Sequence, residues 1–138
     1  MADETLTPVQ SRLLLAAQEV LDLLDSHGHP ACAIGGLAVL RWGEPRVTQD
    51  ADISVLAPFG EEAHVVDLLV SRLPMRRPDA RTFALKNRVL LLTSTHGVPI
   101  DVGLAALPFE REALDRAQRW QCTPYIAFRI CTAEDLII

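Results

Sequence analysis

The sequence predicts an α/β (α+β) domain, a mixed β-sheet flanked by helices. Apolar residues recur at helical steps near the N-terminus, and apolar and polar residues alternate from Ala51 to Leu56. Helical segments then interleave with strands, with no repeat, low-complexity tract or linker between them. The 138 residues, 49% hydrophobic and 22% charged, suit one domain over 1–138 whose core is held by packing alone.

From about 9 to 26 the residues Leu13, Leu14, Ala17, Val20, Leu21 and Leu24 form one apolar stripe, with Arg12, Gln18, Glu19, Asp22 and Asp25 between them. Thr7-Pro8 starts this amphipathic helix, and Gly28 and Pro30 end it. Ala31 to Ile34 reads as a short strand that runs through Gly35-Gly36 into a helix, Leu37 to Trp42, stopped by Gly43 and Pro45. Ala51 to Leu56 is a strand with one polar face, and Glu61 to Leu73 a helix with its acids in the first turn. Arg81 to Leu85 and Arg88 to Thr95 read as strands joined by a tight turn at Lys86-Asn87, and Pro99 to Leu104 completes an antiparallel meander. Glu110 to Arg119 follows as a helix behind Pro108, then Tyr125 to Ile130 as a last strand. Thr132 and Asp135 mark a short capped start beyond it.

Charge and cysteine content exclude several classes of function. Thirteen basic against eighteen acidic residues leave a net charge of -5, whereas sequence-independent wrapping of nucleic acid needs broad positive potential. Cys32, Cys122 and Cys131 lack C-x-x-C spacing and read as small buried apolar residues in a reducing compartment rather than zinc ligands. The N-terminal Met-Ala-Asp-Glu is acidic where a signal peptide would be basic, and no apolar run approaches the roughly 18 residues of a membrane span. The expectation is a cytoplasmic protein with no membrane partner.

The chemistry is concentrated in Ile34-Gly35-Gly36, a spacer of thirteen residues, and Asp50-Ala51-Asp52-Ile53. Alternation in a strand puts Asp50 and Asp52 on one face, roughly 7 Å apart at Cα. Carboxylates so placed repel unless a cation lies between them, and a hard cation such as Mg²⁺ takes oxygen ligands while bridging to substrate phosphates. Such a pair is also what a solvated strand edge looks like. Asp101, between Ile100 and Val102, adds a third carboxylate on a strand that can lie beside the first, to ligate metal and act as general base. Gly35 and Gly36, lacking Cβ, are candidates to cradle a triphosphate, although an ordinary left-handed turn uses the same residues. The G-x-G-x-x-G pattern of dinucleotide binding is absent.

These motifs resemble the nucleotidyltransferase superfamily that includes DNA polymerase β. Its signature is Gly-Gly or Gly-Ser after an apolar residue, a spacer, an acid-apolar-acid triplet and a third acid on a later strand. The runs Gly-Gly-Leu-Ala-Val-Leu, Pro-Arg-Val-Thr-Gln-Asp-Ala-Asp and Thr-Ala-Glu-Asp-Leu-Ile-Ile are similar to those of small bacterial nucleotidyltransferases of the abortive-infection and toxin-antitoxin type. The resemblance implies a nucleotidyltransferase-like fold and transfer of a nucleoside monophosphate from an NTP to a hydroxyl of an acceptor RNA or protein. It puts the metal pair at Asp50 and Asp52, the third acid at Asp101 and the glycines at Gly35 and Gly36, with Mg²⁺ or Mn²⁺ as cofactor. An antitoxin or another protein is the partner it implies. A noncatalytic binding module of the same fold, or a metal-dependent phosphohydrolase with convergent acids, would also fit these residues.

Arg46 and Thr48, just ahead of the acids, are candidates to contact the nucleotide. The basic stretch of Arg76, Arg77, Arg81, Lys86 and Arg88, against Asp79, reads either as a solvated face or as a phosphate-binding surface; Arg76, Arg77, Lys86 and Arg88 are candidates to hold an acceptor. His27 and His29 suit a helix end, and Trp42, Trp120 and Phe128 suit a core or interface.

Overall fold

The computed structural model describes residues 6–42 and 49–137. The first helix, α1 (Pro8–Ser26), opens with a reciprocal cap: Thr7 Oγ1 accepts from the Gln10 amide at 3.1 Å, and the Thr7 amide donates to Gln10 Oε1 at 2.9 Å. The predicted stripe is its buried face. His27 caps the other end, its Nδ1 3.0 Å from the Leu23 carbonyl oxygen, and Gly28 turns the chain with φ +77°. Then come β1 (Ala31–Ile34), α2 (Gly36–Trp42), β2 (Ala51–Leu56) and α3 (Glu62–Arg72). The second half holds α4 (Ala80–Asn87), β3 (Val89–Thr93), β4 (Pro99–Ala105), α5 (Pro108–Arg116), β5 (Gln118–Thr123), β6 (Ile126–Ile130) and a 3-10 turn at Asp135–Ile137.

The six strands form one mixed sheet in the order β3-β4-β2-β1-β6-β5. β2 runs parallel to β4 and β1 parallel to β6, while β1–β2, β3–β4 and β5–β6 are antiparallel. The α/β expectation holds. One sheet face is a continuous apolar layer in which Leu90, Val102, Ile53 and Ala33 lie side by side in register. α1 packs across β1, β2 and β6, and its fully buried Ala17, Val20 and Leu24 belong to the same core. Burying the branched side chains of Val20 and Leu24 stabilises the fold by roughly 1.5–3 kcal/mol each.

Two expectations are corrected. Arg81 to Leu85 is not a strand and Lys86-Asn87 is not a hairpin turn: residues 80–87 form α4. Ala80 and Ala84, both buried and four residues apart, set its inner face, and the Thr82 hydroxyl donates to the Asp79 carbonyl at 3.0 Å. Arg88 ends this helix in the left-handed region at φ 61°, and the antiparallel meander shrinks to the β3–β4 hairpin. The helix behind Pro108 stops at Arg116, and Gln118–Thr123 is an edge strand paired with β6. There Trp120 meets Phe128 edge-on, with ring centroids 5.9 Å apart.

Cys32 and Cys131 are buried free thiols and Cys122 is half-buried, as apolar cysteines should be. Trp42 is partly exposed but donates its indole N–H to the Cys131 carbonyl at 2.9 Å. No helix of the described residues is long and apolar enough to cross a membrane.

Candidate active site

The second face of the sheet carries the acids. Buried Ala51, Ile53 and Val55 alternate with Asp52, Ser54 and Leu56 along β2, so the carboxylate of Asp52 projects away from the apolar layer. Asp52 is the direct register partner of Asp101 on β4. Directly paired residues share a face, and neighbouring strands lie roughly 4.7–4.9 Å apart. Ile34 pairs with Asp52 on the other side and Leu91 with Asp101, giving the row Leu91, Asp101, Asp52, Ile34 across four strands. Asp50 sits one residue ahead of β2. Gly35 follows Ile34 at the end of the row.

The glycine turn and Asp52 fit each other. Gly35 adopts φ +63°, and a Cβ there would lie 2.3 Å from Asp52 Oδ2. Glycine is required by both the backbone conformation and the carboxylate pressed against it. The next amide, that of Gly36, donates to the Asp52 carboxylate. Burial pushes the Asp52 carboxyl above the ordinary carboxylate range, and the charges of Asp101 and Asp50 push it further; the Gly36 amide and Arg76 oppose them.

Arg76 enters the site from the sheet edge. Its amide donates to the Leu91 carbonyl at 3.0 Å, and Met75 makes an isolated antiparallel bridge to Leu92. From there one guanidinium nitrogen forms an ion pair with Asp101 Oδ1 and donates to the Ile100 carbonyl at 3.0 Å. The other arginines of the basic stretch serve different carboxylates: Arg77 pairs with Asp79, Arg81 with Asp67, and Arg88 with Glu62. Arg88 also donates to the carbonyls of Ala57 and Leu104 and stacks over Phe59. Lys86 is exposed in the last turn of α4. Arg46 and Thr48 lie outside the described residues.

Among the described residues no three His, Cys, Asp or Glu side chains are gathered into a ready metal cluster. The donor set nevertheless suits a hard divalent cation. It consists of carboxylate oxygens, it includes a register pair whose mutual repulsion raises one member, and it already draws a positive group to Asp101. Beside the acids, on the same face, a cavity of about 320 Å³ lies between Cys32, Gly35 and Ser54 of the sheet side and Phe109, Leu114 and Leu136 of the C-terminal half. Ser54 and this cavity were not singled out in the sequence. The alternation that exposes Asp52 also exposes Ser54, but the covering helix is fixed only by the chain path.

No family model and no curated protein matches the sequence. In structure the chain is similar to an antigenic nucleotidyltransferase-like protein from Paracoccidioides brasiliensis, with TM-score 0.59 and 14% identity over 94% of this chain and 64% of that one. It is also similar to a lincosamide antibiotic adenylyltransferase solved with lincomycin bound, with TM-score 0.56 and 14% identity over 95% of this chain and 85% of that one. A third likeness is to the antibiotic-resistance factor ANT(2'')-Ia, with TM-score 0.53 and 17% identity over 92% of this chain and 69% of that one. The chain spans 64% of the length of the first of these proteins. With the mixed sheet and the acid row already described, these likenesses show that the chain has the nucleotidyltransferase fold.

Proposed function

We infer that this chain is a metal-dependent nucleotidyltransferase domain that moves a nucleoside monophosphate from an NTP to an acceptor hydroxyl. The observation that carries the reading is Asp52 in register with Asp101, with Gly35 shaped to admit the Asp52 carboxylate. The parts are an acid pair on the open face of a sheet, a glycine turn against it and a cavity alongside. The similarity to a lincosamide adenylyltransferase supports the same reading.

Asp50, Asp52 and Asp101 are the residues to hold Mg²⁺ or Mn²⁺, which when bound neutralises charge on the phosphates. The acceptor oxygen attacks the α-phosphorus, the bond from that phosphorus to the bridging oxygen breaks, and pyrophosphate leaves. Asp101 takes the hydroxyl proton. The Gly36 amide fixes the orientation of Asp52, the bare Gly35 admits the Asp52 carboxylate to the turn, and Gly35 and Gly36 are proposed to cradle the triphosphate. Arg46 and Thr48 are proposed to contact the nucleotide.

The acceptor proposed is a protein rather than an RNA. Arg76, Arg77, Arg81 and Arg88 are each paired with a carboxylate of the chain, which leaves little of the basic stretch for a phosphate backbone. Of the acceptor candidates, Arg76, Arg77 and Arg88 are so paired, and the exposed Lys86 is the one proposed to face an acceptor. A toxin-antitoxin setting, with an antitoxin as partner, rests on the sequence resemblance; the cytoplasm is proposed as its location.

A noncatalytic module is the second reading. It is favoured by the Arg76–Asp101 ion pair, which compensates one acid without a metal. Incubation with each α-³²P-labelled NTP, Mg²⁺ and either RNA or a protein lysate separates the two. Transfer of label by the wild type and its loss in Asp52→Asn supports catalysis, while NTP binding without label in any acceptor supports the module.

A further inference from the structure

Arg76 reaches the acid row from outside the motif that defines it. The segment that carries it is tied to β3 twice by backbone bonds, from the Arg76 amide to Leu91 and from the Thr93 amide to the Pro74 carbonyl at 2.9 Å. Its start is therefore fixed at the edge of the sheet, and its side chain spans the β3 position of the row to end on β4. Arg77 and Arg81 turn away to acids of α3 and the α4 start, so the contact is not a general feature of a basic stretch.

Two details define what this contact does. The pair is partly open to solvent, with side-chain exposures of 29% for Arg76 and 34% for Asp101, so it can be exchanged at modest cost. The guanidinium also holds the Ile100 carbonyl, a bond that does not depend on Asp101 and keeps the group nearby after exchange. An arginine and a divalent cation both need the negative charge of Asp101, and each weakens the hold of the other.

We propose that Arg76 is the resident counter-cation of the acid row, which a divalent cation must displace from Asp101 when the site is loaded. Arg76 is on this account a residue that sets metal affinity, and it stabilises the metal-free protein. The proposal rests on the metal-dependent reading of the same acids.

Mn²⁺ binding followed by electron paramagnetic resonance tests it without any turnover. Arg76→Gln is expected to bind Mn²⁺ about 1.5- to fivefold more tightly than the wild type, the range an exposed ion pair supports. That gain is expected to shrink when Arg76→Gln is compared with Arg76 in an Asp101→Asn background, because the ion pair is then gone and only the weaker effect of Arg76 on Asp52 is left. Equal or weaker binding in Arg76→Gln overturns the proposal, as does a gain that is undiminished in Asp101→Asn. Asp52→Asn separates this failure from failure of the underlying reading: Mn²⁺ binding untouched by that change, or absent from both wild type and Arg76→Gln, rejects the metal site itself. Should Arg76→Gln not fold, the guanidinium ¹⁵N resonance of Arg76 in the wild type, assigned with Arg76→Lys, gives the same answer. A shift on adding Mg²⁺ supports displacement, and an unchanged resonance at saturating Mg²⁺ overturns it.

Discussion

A Cβ on Gly35 would stand 2.3 Å from Oδ2 of Asp52, so the carboxylate and the glycine turn occupy places that each depend on the other. The turn needs glycine for its φ of +63°, and the acid needs it to approach the backbone and accept from the Gly36 amide.

Gly35→Ala therefore loses more activity than stability. The left-handed conformation costs an alanine about 1–2 kcal/mol, and the added methyl must also push Asp52 out of its place. The expected outcome is a modest fall in denaturation midpoint together with a loss of transfer rate of about a hundredfold or more. Gly28→Ala is the control: it is strained in the same way at φ +77°, but its Cβ would meet nothing within 4 Å, so its activity should stay at the wild-type level.

Asp52→Asn should be as stable as the wild type or more so when no divalent cation is present. Burial and two neighbouring acids raise the folded-state pKa of Asp52 above its ordinary value, so the folded chain holds this proton more tightly than the unfolded chain. Stability then falls as pH rises from the ordinary carboxylate value, about 3.9, through the raised one. A neutral asparagine removes that loss, so from pH 4 to pH 7 thermal stability should fall less, or rise more, for Asp52→Asn than for the wild type. Stabilisation by Mg²⁺, expected of the wild type through linkage, should disappear in the variant.

Arg88→Ala should act on the fold first. The Arg88 guanidinium holds Glu62, the Ala57 carbonyl and the Leu104 carbonyl at once, tying the start of α3 to the ends of β2 and β4. Its removal leaves the Glu62 carboxylate and two carbonyls without this donor, so the denaturation midpoint should fall. Urea denaturation measures the loss, and NTP affinity per folded molecule should change little.

RNA binding should depend only weakly on salt. With four arginines paired internally and a net charge of -5, few phosphate contacts are available. The log–log slope of affinity against salt should stay below about 2 in magnitude, and Arg77→Ala should leave it unchanged. Filter binding from low to physiological salt measures it, and a slope near 5 would identify the basic stretch as a polynucleotide surface.

Much of the fold is legible where one period dominates. The stripe from Leu13 to Leu24 and the alternation of Ala51, Ile53 and Val55 each bury one face, and the structure follows both. Residues 80–87 mislead because their inner face is made by two alanines, Ala80 and Ala84, too small to register as an apolar stripe. β5 is missed because an edge strand buries little; its Gln118, Arg119 and Gln121 are exposed. At the site, the facing of Asp52 and Asp101 follows from the expectation that their strands are neighbours, and the β2–β4 pairing provides it. The place of Arg76 does not follow from any local pattern. It depends on the segment at 74–76 attaching to β3, and hence on the register of the β3–β4 hairpin.

The most direct measurement is a crystal structure with Mn²⁺ and a non-hydrolysable NTP, read from the anomalous signal of the metal. The account predicts an Mn²⁺ peak between the carboxylates of Asp52 and Asp101, with the phosphates against the Gly35 turn. A peak elsewhere, or nucleotide bound with no Mn²⁺ at these two residues, would contradict it.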